Sequence, residues 1–214
     1  MEYNLNIIDI GTNLGIDLKN YPLKSNIYSF EPNPICYNYL KENFKNYSNL
    51  KLFNSAVGDV KGIYKFNLTK DTYSSSLLEL NEKYKNNKVL SFSETIMIDV
   101  INLNDIIEEE NINQIDFYKS DTQGYDLKIL KSLGENIRLI KRGRIEVVNK
   151  NNQIYKGQDN YLEDIVKYLE FYNFKFTNLK EINDIFKNEN VIDYDLKFTQ
   201  KNINYIWKKI IKNF

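Results

Sequence analysis

The stretch Asp9-Ile10-Gly11-Thr12-Asn13-Leu14-Gly15 sets two glycines four positions apart, just after a carboxylate. Glycine accepts backbone angles and close approaches that a Cβ forbids, so such a loop can turn sharply against a ligand. A helix expected after the loop would add free N–H groups at the same place. Glu31 lies twenty positions beyond Gly11, at the end of the next apolar run. A carboxylate there can accept hydrogen bonds from both ribose hydroxyls of a nucleoside. Two further carboxylates, Asp121 and Glu146, close later apolar runs. The chain has no histidine. That excludes Ser-His-Asp and Cys-His chemistry and histidine-based zinc sites, and leaves proton transfer to carboxylates, Lys, Tyr, Cys or water.

The glycine spacing separates the nucleoside cofactors. A dinucleotide fingerprint reads G-x-G-x-x-G, and its second glycine makes room for a pyrophosphate. Here Asn13 and Ile16 stand where the second and third glycines would fall. S-adenosylmethionine has no pyrophosphate but carries an amino acid end, and Asp9 beside a turn suits its ammonium group. The loop therefore favours S-adenosylmethionine over NAD.

Short apolar runs separated by helical patterns must position these residues. Strands are expected at Leu5–Ile10, Ile27–Phe30, Leu50–Phe53, Ile115–Ser120, Arg144–Val148 and Phe174–Leu179, with a last one at Ile203–Lys208 that carries the only Trp. Helices are expected over residues 35–47, after Pro34, and over 103–110, 125–133 and 162–171. Residues 62–68 and 95–100 read as extra strands, and 187–190 as a loop. Strands alternating with helices imply a Rossmann-like α/β fold: a mostly parallel seven-stranded sheet, helices on both faces, and a small β insertion near 57–100. Ligands bind such sheets beyond the carboxyl ends of the strands. The loops leaving the strands begin at Asp9, Glu31, Asn54, Asp121 and Glu146, and four of these five residues are acidic.

Composition narrows the class further. A chain of 214 residues with 42% hydrophobic residues fits one domain, taken as 1–214, with a real core. Lys+Arg and Asp+Glu each number 29, so no overall excess of charge points to nucleic acid. No apolar run approaches the ~18–20 residues of a membrane helix. The single cysteine, Cys36, and an N-terminus without basic or apolar signal regions suggest a cytoplasmic protein. Oligomeric state is not encoded legibly.

Five pieces in order resemble the FkbM-type methyltransferases, a branch of the class I S-adenosylmethionine enzymes. They are Asp9–Gly15, Phe30-Glu31-Pro32-Asn33-Pro34, Ser55-Ala56-Val57-Gly58-Asp59, the run from Asp116 to Gly124, and Arg144-Ile145-Glu146. The resemblance implies methyl transfer, usually to an oxygen, with a sugar or natural-product hydroxyl as the frequent acceptor. It implies a cofactor-binding set of Asp9, Gly11, Thr12, Asn13, Gly15, Glu31, Pro32, Ser55 and Ala56. Asp9 and the first loop would hold the methionine end, Glu31 the ribose, and Ser55 and Ala56 the adenine, with Asp121 near the sulfonium. The chain departs from the family at Gln123 and Asp126, where Glu is frequent, and Gln123 removes one possible base. The family's frequent N-terminal extension is absent too, so a lid from that segment is not expected.

Other residues complete the expectation. Lys119 and Asp121 are two apart on a strand and share a side. A Lys within a buried strand needs a charge partner, for which Asp9, Asp121 and Glu146 are the candidates. A hydroxyl acceptor must lose a proton, which makes Asp121 and Glu146 the candidate catalytic bases, directly or through a divalent metal. Asp99, Asp121 and Glu146 together could offer Mg²⁺ three oxygens, but nothing else in the sequence supports a metal. Gln123 and Tyr155 are the candidate substrate residues. Tyr155 belongs to a polar aromatic cluster with Gln153, Gln158 and Tyr161, and Ser74-Ser75-Ser76 could cap or line the site. The expected function is an S-adenosylmethionine-dependent O-methyltransferase acting on a small-molecule or glycan hydroxyl, foremost a sugar. A nitrogen or carboxylate acceptor, or a cofactor-binding domain without turnover, are the alternatives.

Overall fold

A computed structural model describes residues 4–88, 90–182 and 193–201. Ten strands divide between two sheets. The main sheet holds seven: β1 (Asn6–Ile10), β2 (Asn26–Phe30), β3 (Leu50–Phe53), β7 (Phe117–Ser120), β8 (Arg142–Val148), β9 (Phe174–Ile182) and β10 (Asp193–Gln200). Their order across the sheet is β3-β2-β1-β7-β8-β10-β9. Strands β3, β2, β1, β7 and β8 are parallel, and β10 runs antiparallel between β8 and β9. From β1 the chain builds outward through β2 and β3, then returns to place β7 on the other side. The β1/β7 junction is therefore the switch point at which such sheets bind ligands.

Alternation along the strands sends side chains to two different cores. Ile8, Ile10, Tyr28, Phe30 and Tyr118 pack with Leu103 and Ile106 of α2 (Leu103–Glu109), Leu127 and Leu130 of α3 (Asp126–Ser132), and Ile165 and Leu169 of α4 (Leu162–Phe171). Ile7 and Ile27 face the other way, onto Leu18, Tyr21, and Leu40 and Phe44 at α1 (Pro34–Asn43) and its end. Helix α1 starts where expected: Pro34 opens its first turn and the Asn33 side chain accepts from the Ile35 N–H at 3.0 Å.

The insertion is a second sheet of three strands, β4 (Ala56–Val57), β5 (Gly62–Thr69) and β6 (Phe92–Ile101), with β6 in the middle. Its long connection, residues 70–91, reaches over the carboxyl end of the main sheet. There Leu80, Tyr84 and Leu90 form a small core with Ile154 and Tyr155 from the loop after β8.

One expectation about the elements needs correction. No α-helix follows the first glycine loop; one 3₁₀ turn, Leu18–Asn20, stands in its place. Gly15 at φ 72° and Pro22 leave too little uninterrupted chain for more. The expected strand at 203–208 and loop at 187–190 lie outside the described residues. The seventh strand seen is β10, whose Leu196 and Phe198 are buried and alternate with polar residues. Such alternation marks an antiparallel strand less visibly than a continuous apolar run does.

Candidate active site

Strands β1 and β2 end side by side, and their exit loops interlock. Gly11 N–H and Thr12 N–H both donate to the Phe30 carbonyl, at 3.0 and 3.3 Å. Gly11 has φ 74°, and a Cβ there would lie 1.9 Å from the Asp121 carbonyl oxygen, so only glycine fits between the first and fourth loops. Asp121 N–H in turn donates to the Ile10 carbonyl at 3.1 Å. Glu31 closes β2 with both oxygens held by backbone: Asn13 N–H donates to Oε2 at 2.6 Å and Asn33 N–H to Oε1 at 2.8 Å. Burial nonetheless dominates and pushes the Glu31 carboxyl up to about 7.

These loops border a cavity that, with its solvent-open mouth included, encloses about 600 Å³. Gly11, Asn13, Glu31 and Asp121 supply its polar wall, and Phe30, Pro32, Ala56 and Val57 an apolar one. The remaining wall is a roof from the insertion, in which Thr72, Tyr73, Ser75 and Leu77 stand above Phe66 of β5. Sequence reasoning missed these residues, apart from noting that the serine run could line the site. The only local signal was a polar turn between two expected strands, and it says nothing of where the turn lands. The roof is clasped to the glycine loop: Asn13 Nδ2 donates to the Thr72 carbonyl at 3.1 Å, and Thr72 Oγ1 to Asn13 Oδ1 at 3.3 Å. Both residues hold left-handed angles, φ 50° and 66°. A β-branched residue such as Thr72 adopts that region only where its surroundings impose it.

Several expected cofactor residues stand behind this wall. Asp9 is fully buried and does not line the cavity. Its carboxylate lies 3.3 Å from Lys119 Nζ and accepts from the Tyr21 hydroxyl at 3.1 Å. The direct contact with a ligand ammonium expected of Asp9 is thus corrected: its charge is committed to Lys119. Burial pulls the Lys119 ammonium down, but Asp9, Asp121 and Asp17 outweigh it and hold the group charged. Lys119 Nζ also donates to the carbonyls of Ile10, at 3.3 Å, and Gly11, and so pins the glycine loop from beneath. Thr12 hydrogen-bonds Ser29 at 2.6 Å, Gly15 packs against Leu40 and Phe44, and Ser55 is buried; none of the three lines the cavity.

The catalytic and substrate candidates come together around Gln123. Its Nε2 donates to Asp121 Oδ1 at 3.0 Å and lies 3.1 Å from both oxygens of Glu146. The Tyr155 hydroxyl lies 3.1 Å from Gln123 Oε1 and 2.8 Å from the Ser74 carbonyl, so one hydrogen serves two acceptors. Ser76 Oγ donates to the Gln123 carbonyl at 2.8 Å. Asp126 anchors the same loop: it accepts from Ser120 Oγ at 2.5 Å and Thr122 N–H at 3.2 Å, and its burial pushes its carboxyl up to about 7. Asp99 does not join them. It is exposed on β6, and no cluster of three acidic, cysteine or histidine residues able to hold a metal occurs among the described residues. The three-oxygen set of Asp99, Asp121 and Glu146 is therefore not assembled.

The strand order, the switch-point cavity and the acidic loop ends define a Rossmann-like methyltransferase domain. The family model of the methyltransferase FkbM domain matches residues 9–176, and the chain belongs to the FkbM methyltransferase family. A crystal structure of methyltransferase FkbM from Methylobacillus flagellatus KT superposes with a TM-score of 0.56 at 15% identity, covering 91% of this chain and 44% of that one. The chain thus spans under half of that protein's length. A 1,6-didemethyltoxoflavin-N1-methyltransferase from Burkholderia thailandensis, solved with S-adenosylhomocysteine, gives a TM-score of 0.47 at 8% identity over 92% of this chain and 71% of that one. TYW2 from M. jannaschii, in complex with AdoMet, gives 0.41 at 17% identity over 92% and 69%. No curated protein sequence matches the chain. Among the described residues no helix is long and apolar enough to cross a membrane.

Proposed function

We propose that this protein transfers a methyl group from S-adenosylmethionine to a hydroxyl oxygen of a small molecule or glycan, foremost a sugar. The observation that carries the reading is the cavity strung between Glu31 and Asp121 at the switch point. Its residues suit the cofactor. Glu31 offers its remaining lone pairs to the ribose hydroxyls, and Phe30, Pro32, Ala56 and Val57 offer an apolar slot for adenine. Gly11, Asn13 and Asp121 stand where the methionine end would lie, with Asp9 supporting them through Lys119. When bound, the cofactor supplies an electrophilic methyl group on a sulfonium.

The chain's own part is positioning and proton removal. Holding reactants in line is worth up to ~7–11 kcal/mol of barrier. Asp121 and Glu146 are the carboxylates placed to take the hydroxyl proton. The Gln123 amide, whose two N–H hydrogens go to Asp121 and Glu146, fixes their spacing. Tyr155 holds that amide in place. A neutral amide between two carboxylates preserves the geometry that a third carboxylate there would disturb by like-charge repulsion.

Calorimetric titration with S-adenosylhomocysteine, with NADH as control, tests the cofactor. Micromolar binding of the first alone is expected, and binding of NADH alone would overturn the reading. Methyl transfer from labelled cofactor to a panel of sugars then tests the acceptor. Turnover of amines or carboxylates but no alcohols would overturn the hydroxyl assignment.

A further inference from the structure

Gln123 also lines a second, smaller cavity. Its other walls are Gly124, Glu146, Val148, Ile154, Tyr155, Gln158 and Asn160. Every polar group in this wall whose bonds are described is committed, with one exception. Gln158 Oε1 accepts from the N–H groups of Ile154 and Tyr155, each at 2.8 Å, and its Nε2 donates to the Asn152 carbonyl at 3.1 Å. Gln123 and Tyr155 are tied as described above. The exception is Asn160, 2% exposed, whose Oδ1 has no hydrogen-bond partner among the described residues. A buried amide oxygen left so is destabilising, and the deficit is removed by any ligand that brings a donor.

We propose that this cavity is an acceptor subsite that takes a second hydroxyl of a vicinal diol, donated to Asn160 Oδ1, while the neighbouring hydroxyl meets Gln123, Asp121 and Glu146. The inference deepens the O-methyltransferase reading and rests on it. Three features point to a neutral hydroxyl. The unmet atom is an acceptor, so the ligand must donate, which excludes a carboxylate or phosphate. The nearby carboxylate of Glu146 already receives the Gln123 amide, so an added positive charge is not demanded. Val148 and Ile154 leave a narrow, partly apolar space, suited to one hydroxyl on carbon. Since Gln123 borders both cavities, two adjacent hydroxyls of one ring can address both.

The test is binding of small probes to the protein saturated with S-adenosylhomocysteine, followed by ligand-observed NMR. The probes are cis-1,2-cyclohexanediol, cyclohexanol and cis-2-aminocyclohexanol. The diol is expected to bind at least about tenfold tighter than the mono-alcohol, the worth of a hydrogen bond to a buried unpaired acceptor. Asn160→Ala and Val148→Ile, the second filling the cavity with one methylene and touching no polar group, should each abolish that preference. S-adenosylhomocysteine affinity, measured alongside, should stay within about threefold and shows that each variant is folded. Equal binding of diol and mono-alcohol, no binding of either, or a preference that survives both variants would overturn the subsite. Tighter binding of the amino alcohol would replace the hydroxyl by an ammonium. A diol preference in a protein that methylates no alcohol would leave the subsite standing and remove the O-methyl reading.

Discussion

Glu31 combines full burial with two backbone N–H donors, and burial prevails, so its carboxyl titrates near 7. Ribose hydroxyls bond the ionised form far more strongly, because protonation turns one of the two acceptor oxygens into a donor. S-adenosylhomocysteine affinity should therefore be flat above pH 8 and fall about tenfold for each pH unit below 7, as one proton must leave before binding. Calorimetry from pH 5.5 to 8.5 checks this, and a flat profile would remove Glu31 from the ribose site. Glu31→Ala should weaken binding at pH 8 at least about tenfold, for a charge-assisted bond worth roughly 1.5–3 kcal/mol. Gly11 makes a different kind of prediction. Gly157 has nearly the same φ, 72°, but open space where a Cβ would go. Gly157→Ala should cost about 1–2 kcal/mol of stability, the left-handed penalty alone. Gly11→Ala should cost at least twice that and abolish cofactor binding, as thermal melting and titration would show. Residue types at the strand ends were legible in advance because glycine and acid at fixed spacing state their chemistry directly. Whether a carboxylate faces a cavity was not. Asp9 and Glu31 read alike in sequence, yet one meets Lys119 and the other lines the cavity.

Elements with a strong period were equally plain. The runs ending at Ile10, Phe30, Ser120 and Val148 and the helices at 103–109, 126–132 and 162–171 fall where apolar spacing places them. The roof was invisible because its contacts are distant in sequence: Asn13 meets Thr72, and Ser74 meets Tyr155. No local periodicity encodes such a pairing. The clasp should govern the roof's mobility. Asn13→Ala removes both side-chain hydrogen bonds to Thr72, together worth about 1–3 kcal/mol. Hydrogen exchange in residues 70–77 should then speed up about tenfold or more, with S-adenosylhomocysteine binding weakened in parallel. Unchanged exchange would mean that Tyr155, Ser76 and the small core beneath Leu80 hold the roof alone.

Stability of the whole molecule should run against the usual rise from acid to neutral pH. Glu31 and Asp126 release their protons near 4.5 and 3.8 when unfolded but near 7 when folded. Between those values the folded chain binds more protons, so this contribution is present at low pH and lost as pH rises through 7. Each pH unit separating the folded from the unfolded pKa is worth about 1.4 kcal/mol, so the pair can weigh a few kcal/mol. Melting temperature should be higher near pH 5.5 than near pH 8. Asp126→Asn, which mimics the protonated group, should lift the value at pH 8 and flatten the slope; a steeper slope in that variant would refute the assignment. The roof has one more consequence, for how such a protein diversifies. It arrives as a single continuous stretch between Thr69 and Phe92, hung from an antiparallel pair of strands outside the main sheet. The sheet and its glycine loop are completed without it. One wall of the cavity is thus carried by an exchangeable cassette: replacing residues 70–91 with the matching segment of a relative would transplant that wall onto an unchanged main sheet.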